Sequence, residues 1–211
     1  VVMKIAIVGT GNVAAALGKG WAARGHVVTF ASREPSSERV RALLDAAGPN
    51  ASAASVADAV ARSSIIVLAV PFTAVRERLD MAGDIGGKVV IDCTNPIAPG
   101  LRPMFDSTTS GVEQIAAWVP RAKVVKAFNT TGAGNMTDPR YNGEAATMFV
   151  CGDDEMAKGA AAQLAEELGF EVVDAGGLSA ARHLENLALL WIHLARVTGL
   201  GRDIAFRLIR R

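Results

Sequence analysis

The sequence predicts an α/β fold: a doubly wound, mostly parallel sheet of about eight strands with a short C-terminal helical extension. Three observations predict it. Short β-branched runs bounded by Gly, Pro or Asp alternate with longer Ala-rich stretches of helical period. The run Ser64-Ile65-Ile66-Val67-Leu68-Ala69-Val70 is apolar on both faces, so both faces of the sheet must be covered. A glycine-rich turn, Gly9-Thr10-Gly11-Asn12-Val13-Ala14, joins the first strand to the first helix.

Taken in order, Lys4–Val8 opens the pattern as a strand and Asn12–Arg24 follows as a helix. Val27–Ala31 is the second strand, Ser37–Ala47 a helix, and Ala51–Ala54 a short, weak strand. Ser55–Arg62 reads as a helix, Ile65–Val70 as a strand buried on both sides, and Thr73–Met81 as the next helix. The strand Lys88–Asp92 leads into the Pro- and Gly-rich stretch Asn95–Pro103, which has the character of a loop at a ligand edge. Gly111–Trp118 is then helical, Lys123–Phe128 and Thr147–Cys151 are strands, Asp154–Leu168 is a helix and Phe170–Asp174 a last strand. Asp153 and Asp154 suit capping of that helix better than a metal carboxylate pair. Residues 175–211 leave room for one or two helices and none for a second folded domain.

Composition narrows the function. With 22 Lys+Arg against 21 Asp+Glu the net charge is +1, and apart from Arg202–Arg211 the basic residues are scattered, which argues against a nucleic-acid partner. Half the residues are hydrophobic and a fifth charged, as in a globular chain. The two cysteines, Cys93 and Cys151, make neither a disulfide framework nor a zinc spacing, so a reduced, cytoplasmic protein is expected. The densest apolar segment, Leu184–Leu194, is broken by Glu185, Asn186 and His193, and no membrane partner is expected.

The Gly9–Ala14 turn carries the chemistry. It is a G-x-G-x-x-A dinucleotide signature of the Rossmann type, in which Gly9 permits the tight turn and Gly11 admits a pyrophosphate to the backbone. Ala14 lets helix and strand pack closely, and the free N–H groups of the helix face the phosphates. The second strand ends Ser32-Arg33 where a site for the unphosphorylated dinucleotide would place an acid. Arg33 can pair with a 2′-phosphate and Ser32 can hydrogen-bond to it, so NADP(H) is favoured over NAD(H). Glu34 lies past the turn, and Arg39 or Arg41 could assist. The strand ends Val70-Pro71-Phe72 and Asn95-Pro96-Ile97 are expected to complete the cleft, because ligands sit at the carboxyl ends of parallel strands.

Several chemistries are excluded. The sole tyrosine, Tyr141, has Ala145 four residues on, so no Tyr-x-x-x-Lys acid–base pair exists. His26 is expected to be structural and His193 to belong to the core or an interface; His183 and His193 are too far apart along a helix to share a metal. Neither cysteine reads as a nucleophile. An open NADP site without a general acid suits a planar hydride acceptor that delocalises charge in its own ring.

Gly9-Thr10-Gly11-Asn12-Val13, Ser32-Arg33, Val70-Pro71-Phe72, Asp92-Cys93-Thr94-Asn95-Pro96, Lys126-Ala127-Phe128-Asn129-Thr130, Cys151-Gly152-Asp153-Asp154, Asp174-Ala175-Gly176 and Arg182-His183-Leu184-Glu185-Asn186-Leu187 occur in that order. Together they resemble the NADPH:F420 oxidoreductase family nearly end to end. The resemblance implies that Thr10, Asn12 and Val13 contact the pyrophosphate and Ser32 and Arg33 the 2′-phosphate. Val70, Pro71, Phe72, Pro96 and Ile97 would line the nucleotide cleft, with Ala127 and Asn129 near the nicotinamide and the partner ring. Asn129 would be the positioning residue of the reaction. Archaeal members carry histidine at that place. Lys-Ala-Phe-Asn-Thr is similar instead to bacterial relatives and to the cytosolic domain of membrane ferric reductases, which makes a flavin the alternative to coenzyme F420. A non-catalytic NADP-binding redox sensor is the reading from another class.

The whole chain, 1–211, is expected to be one domain: a nucleotide core over 1–130, and added strands and helices over 131–211 that complete the site. The last helix, with Leu184, Leu187, Leu190, Trp191, Leu194 and Val197 on one stripe and Ala188, Leu189, Ile192 and Ala195 beside it, is apolar nearly all round. It is therefore expected to be buried, in part against a second copy in a homodimer.

Overall fold

A computed structural model describes residues 1–211. Its main sheet has eight strands: β1 (Lys4–Val8), β2 (Val27–Ala31), β3 (Ala51–Ala54), β4 (Ile65–Leu68), β5 (Val89–Asp92), β6 (Lys123–Lys126), β7 (Thr147–Gly152) and β8 (Glu171–Asp174). They lie in the order β8-β7-β6-β5-β4-β1-β2-β3. The six from β3 to β6 are parallel, β7 runs antiparallel to β6 with Cys151 opposite Lys126, and β8 is parallel to β7. The reversal of strand order between β1 and β4 opens the crevice in which such sheets bind ligands.

The helices cover both faces. On one side α1 (Asn12–Ala23), α2 (Glu38–Ala47) and α6 (Glu155–Leu168) pack over Ile5, Ile7, Phe30 and Val67. Trp21 is the largest side chain there; its indole N–H donates to the Leu164 carbonyl at 3.0 Å and its ring meets Phe128 edge-on at 5.5 Å. On the other side α3 (Val56–Ala61), α4 (Phe72–Ala82), α5 (Gly111–Trp118) and α7 (Ala181–Arg196) cover Ala6, Val8, Ile66 and Leu68. His26 is structural: its Nδ1 accepts from the Met3 N–H at 3.0 Å and its Nε2 lies 2.5 Å from Glu167.

Two strands stop short of their expected ends. Ala69 and Val70 leave the sheet at the glycine turn, and Ala127 and Phe128 leave β6 because Phe128 takes a left-handed backbone (φ 61°). The last helix buries only part of its apolar surface within the chain. α7 buries one face, Ala181, Leu184, Ala188, Trp191 and Ala195, while Leu190 is 47 % exposed, Val197 59 % and His193 lies in the open. A side chain that continues the apolar stripe in sequence need not meet the sheet, because the stripe is wider than the surface it packs on. After α7 the chain returns as an irregular strap. The carbonyl of Phe206 accepts from the Thr147 N–H at 2.9 Å, and the N–H of Leu208 donates to the Thr147 hydroxyl at 3.0 Å. No helix is long and apolar enough to cross a membrane.

Candidate functional site

The glycine turn is held by contact as well as by sequence. Gly9 has φ 131°, and a Cβ there would sit 2.4 Å from the carbonyl oxygen of Ala69, so the turn lies directly against the exit of β4. Ala14 is fully buried under it. A Cβ on Gly11, by contrast, would meet nothing within 4 Å, which leaves the backbone open where α1 begins. That end of α1 has no side-chain cap and no acid in its first turn, so its N–H groups and positive dipole end face the crevice unopposed.

A cleft of about 560 Å³ extends from the turn, lined by Gly9, Thr10, Gly11, Ser32, Arg33, Val70 and Pro71. Arg33 is exposed beside Ser32, whose hydroxyl accepts from the Glu34 N–H at 3.1 Å. Arg39 crosses the cleft and donates twice to the Thr10 carbonyl, at 3.2 and 2.9 Å, whereas Arg41 turns back to the Ser36 carbonyl. Arg78 lines the far wall, paired with Glu77 at 3.0 Å. Sequence reasoning missed it; its only signal was a basic residue two turns into a helix that opens at the cleft. Three guanidiniums thus face one compartment, the donor set a phosphorylated ribose requires.

Beyond α1 the cleft continues into a compartment of about 230 Å³ bounded by Asn12, Val13, Val70, Pro71, Phe72, Cys93, Thr94 and Asn95. Phe72 is mostly core, edge-on to Phe105 at 5.5 Å. Pro96 and Ile97 do not reach this compartment; they line a small recess with Arg182, Glu185 and Leu189 of α7. Ala127 is fully buried and Asn129 nearly so. The strained turn at Phe128 carries Asn129 under the compartment, where its side-chain amide donates to Asn95 Oδ1 and to the Leu184 carbonyl, both at 3.1 Å. Asn95 in turn donates to the Asn129 carbonyl at 2.9 Å. Asn129 therefore ties the cleft to α7.

Beneath them lies an ion triad that sequence reasoning did not find. The Lys126 ammonium, fully buried, donates to Asp92 Oδ2 at 2.7 Å, to the Thr94 carbonyl at 2.7 Å and to Glu185 Oε1 at 2.9 Å. Burial works against its charge, but the Asp92 and Glu185 carboxylates outweigh it and raise its pKa above the usual lysine range. Glu185 also accepts from the Gly111 and Val112 N–H groups and so caps α5. Cys93, next in the chain, is pushed well above the usual thiol range by burial and by the Asp92 carboxylate, and burial raises Cys151 to about 12; both are thiols, not thiolates. Asp154 caps α6 through the Ala157 N–H at 2.9 Å.

A second cavity, about 650 Å³, meets the cleft at Asn12 and Val13 and is walled by Gly132, Asn135, Trp191, Arg196 and Arg202. Trp191 lies so close to Gly132 that a Cβ there would be 2.6 Å from its ring, and its indole N–H holds the strap at the Ile204 carbonyl, 2.7 Å away. No histidine lines any of these compartments. Another groove, near Arg76 and Trp118, is lined by the end of α4 and the turns that lead into β5 and β6, and contains none of the motifs.

The family described as NADP oxidoreductase, coenzyme F420-dependent, matches residues 4–96. A crystal structure provisionally described as an F420-dependent NADP-reductase from Arthrobacter sp. FB24 is 34% identical, with a TM-score of 0.89 over 99% of this chain and 100% of that one. The F420-dependent NADP reductase of Methanothermobacter marburgensis is 28% identical over 207 residues, 91% of this chain and 92% of that protein. Metalloreductase STEAP3 of Rattus norvegicus is 29% identical over 186 residues, 88% of this chain but 36% of that protein. The chain thus spans about a third of the length of the metalloreductases it matches.

Proposed function

This chain belongs to the family of coenzyme F420-dependent NADP oxidoreductases and is an NADP-dependent oxidoreductase; from that premise we propose that it passes hydride between NADP(H) and the deazaflavin coenzyme F420. The residues fit the nucleotide. Free N–H groups at the start of α1 would hold the diphosphate, and Ser32 and Arg33, with Arg39 and Arg78 opposite, the 2′-phosphate and its ribose. The nicotinamide supplies the hydride when it is bound. Val13, Pro71 and Phe72 would flank its ring, while Asn95 and Asn129 fix the floor.

The observation that carries the acceptor reading is the second cavity. It joins the nucleotide cleft at Asn12 and Val13, offers an indole wall in Trp191, and brings Arg196 and Arg202 within reach of an anionic tail. Two rings meeting at that junction need no side-chain acid, because the acceptor ring takes up the hydride itself and its balancing proton comes from water. A flavin or ferric-type reductase is the second reading, favoured by Asn129 and by the similarity to the metalloreductases over most of this chain.

Oxidation of NADPH followed in parallel with F420, FMN, FAD, a ferric chelate and no acceptor tests both. Turnover with F420 well above the others supports the proposal. Turnover confined to flavin or ferric chelate transfers the weight to the second reading, and none at all leaves a nucleotide-binding sensor.

A further inference from the structure

Three side-chain polar atoms in the chain are buried without a hydrogen-bond partner, and two of them, Thr94 Oγ1 and Asn129 Oδ1, belong to the floor of the cleft. Thr94 is only 4 % exposed, yet it lines the compartment beyond α1 together with Cys93 and Asn95. Its backbone is fixed from both sides. The N–H donates to Asp92 Oδ1 at 2.9 Å, and the carbonyl accepts from the Lys126 ammonium at 2.7 Å. Lys126 is itself held by Asp92 and Glu185, so the place of the Thr94 hydroxyl is set by the buried triad and not by a free loop.

Folded proteins rarely leave a buried hydroxyl unpaired, and a valine would fill the same shape without the cost. An unpaired hydroxyl on a residue that lines the cleft, with its backbone pinned on both sides, is accounted for by a partner that arrives with the ligand once the threonine side chain turns toward it. The compartment lies on the far side of the α1 terminus from the three guanidiniums, so the adenosine end of the dinucleotide is assigned to the other compartment. What remains for this one is the nicotinamide, whose primary carboxamide carries both donors and an acceptor.

We propose that Thr94 is a further binding residue for the nicotinamide end of the cofactor, its hydroxyl held ready by Asp92 and Lys126 to hydrogen-bond the carboxamide. The proposal rests on the NADP reading and adds to it a contact that orients the ring about its link to the ribose. Lys126 is in these terms a positioning residue, acting only through Thr94.

Thr94→Val and Thr94→Ser, titrated by calorimetry with NADPH and with adenosine 2′,5′-bisphosphate, test it alongside thermal melts. The bisphosphate carries the adenosine end alone. Thr94→Val is expected to melt at or above the parent temperature, since it removes an unpaired group, and to bind the bisphosphate like the parent. Its affinity for NADPH is expected to fall by about three- to tenfold, the worth of one neutral hydrogen bond. Thr94→Ser, which keeps the hydroxyl, is expected to restore that affinity. A Thr94→Val protein that melts lower, that binds NADPH as the parent does, or that loses both ligands equally overturns the proposal. If the parent protein binds neither ligand, it is the NADP reading that fails.

Discussion

Arg33 and Lys126 are both cations of the same cleft, and they are kept in opposite ways. Arg33 stands exposed beside Arg39 and Arg78, where three guanidiniums share a compartment with the single carboxylate Glu34. Lys126 is sealed under the other end, with all three of its protons given to acceptors inside the chain. A solvated cation retains donors for an incoming phosphate at little cost to the free protein. A buried cation has to be neutralised within the fold or it would not be charged at all. The first arrangement leaves charge available; the second builds the floor beneath it.

Breaking the buried side of this contrast has the largest expected effect. Lys126→Met leaves Asp92 and Glu185 facing each other unpaired and is expected to destabilise the chain by about 3–5 kcal/mol, read from urea unfolding. A loss near zero would mean that the triad adds nothing to the fold. At the exposed side, Arg33→Ala is expected to leave stability alone and to cost NADPH binding roughly 1.5–3 kcal/mol, with NADH nearly unaffected. Equal losses for the two nucleotides in parallel titrations would remove Arg33 from the 2′-phosphate.

An intermediate case sharpens the comparison with the smallest effect. Glu113, half-buried on α5, is held below its usual carboxylate pKa by a two-pronged bond from Arg182, whose Nε lies 2.9 Å away. A depressed carboxylate pKa means stability that is present above the unfolded value, 4.5, and is lost as pH falls through the folded one. Unfolding followed from neutral pH into acid is therefore expected to show a shallower decline for Glu113→Gln than for the parent. Parallel curves would show that the pair is too solvated to matter.

The sheet was legible because its signals are local. Gly9, Gly11 and Ala14 stand within six residues, the arginine proposed for the 2′-phosphate follows the next strand by two residues, and even the weak strand at Ala51–Ala54 forms, as an edge. The triad was not legible, since its partners lie 34 and 59 residues from Lys126 and meet only when α7 docks under β5 and β6. A lysine inside an apolar strand motif was the one available hint. The reversed direction of β7 leaves no trace in a period-two pattern either. Pro96 and Ile97, next to Asn95 in the chain, line a different recess from it, beside α7.

Gly9 and Ala69 lie so close that neither loop has room to move toward the other, and any side chain at residue 9 would have to displace the Ala69 carbonyl. Arg39 braces the same turn from the solvent side, with two of its donor groups given to the Thr10 carbonyl. Because that guanidinium stands in the open, its pull on an approaching anion weakens as salt is added.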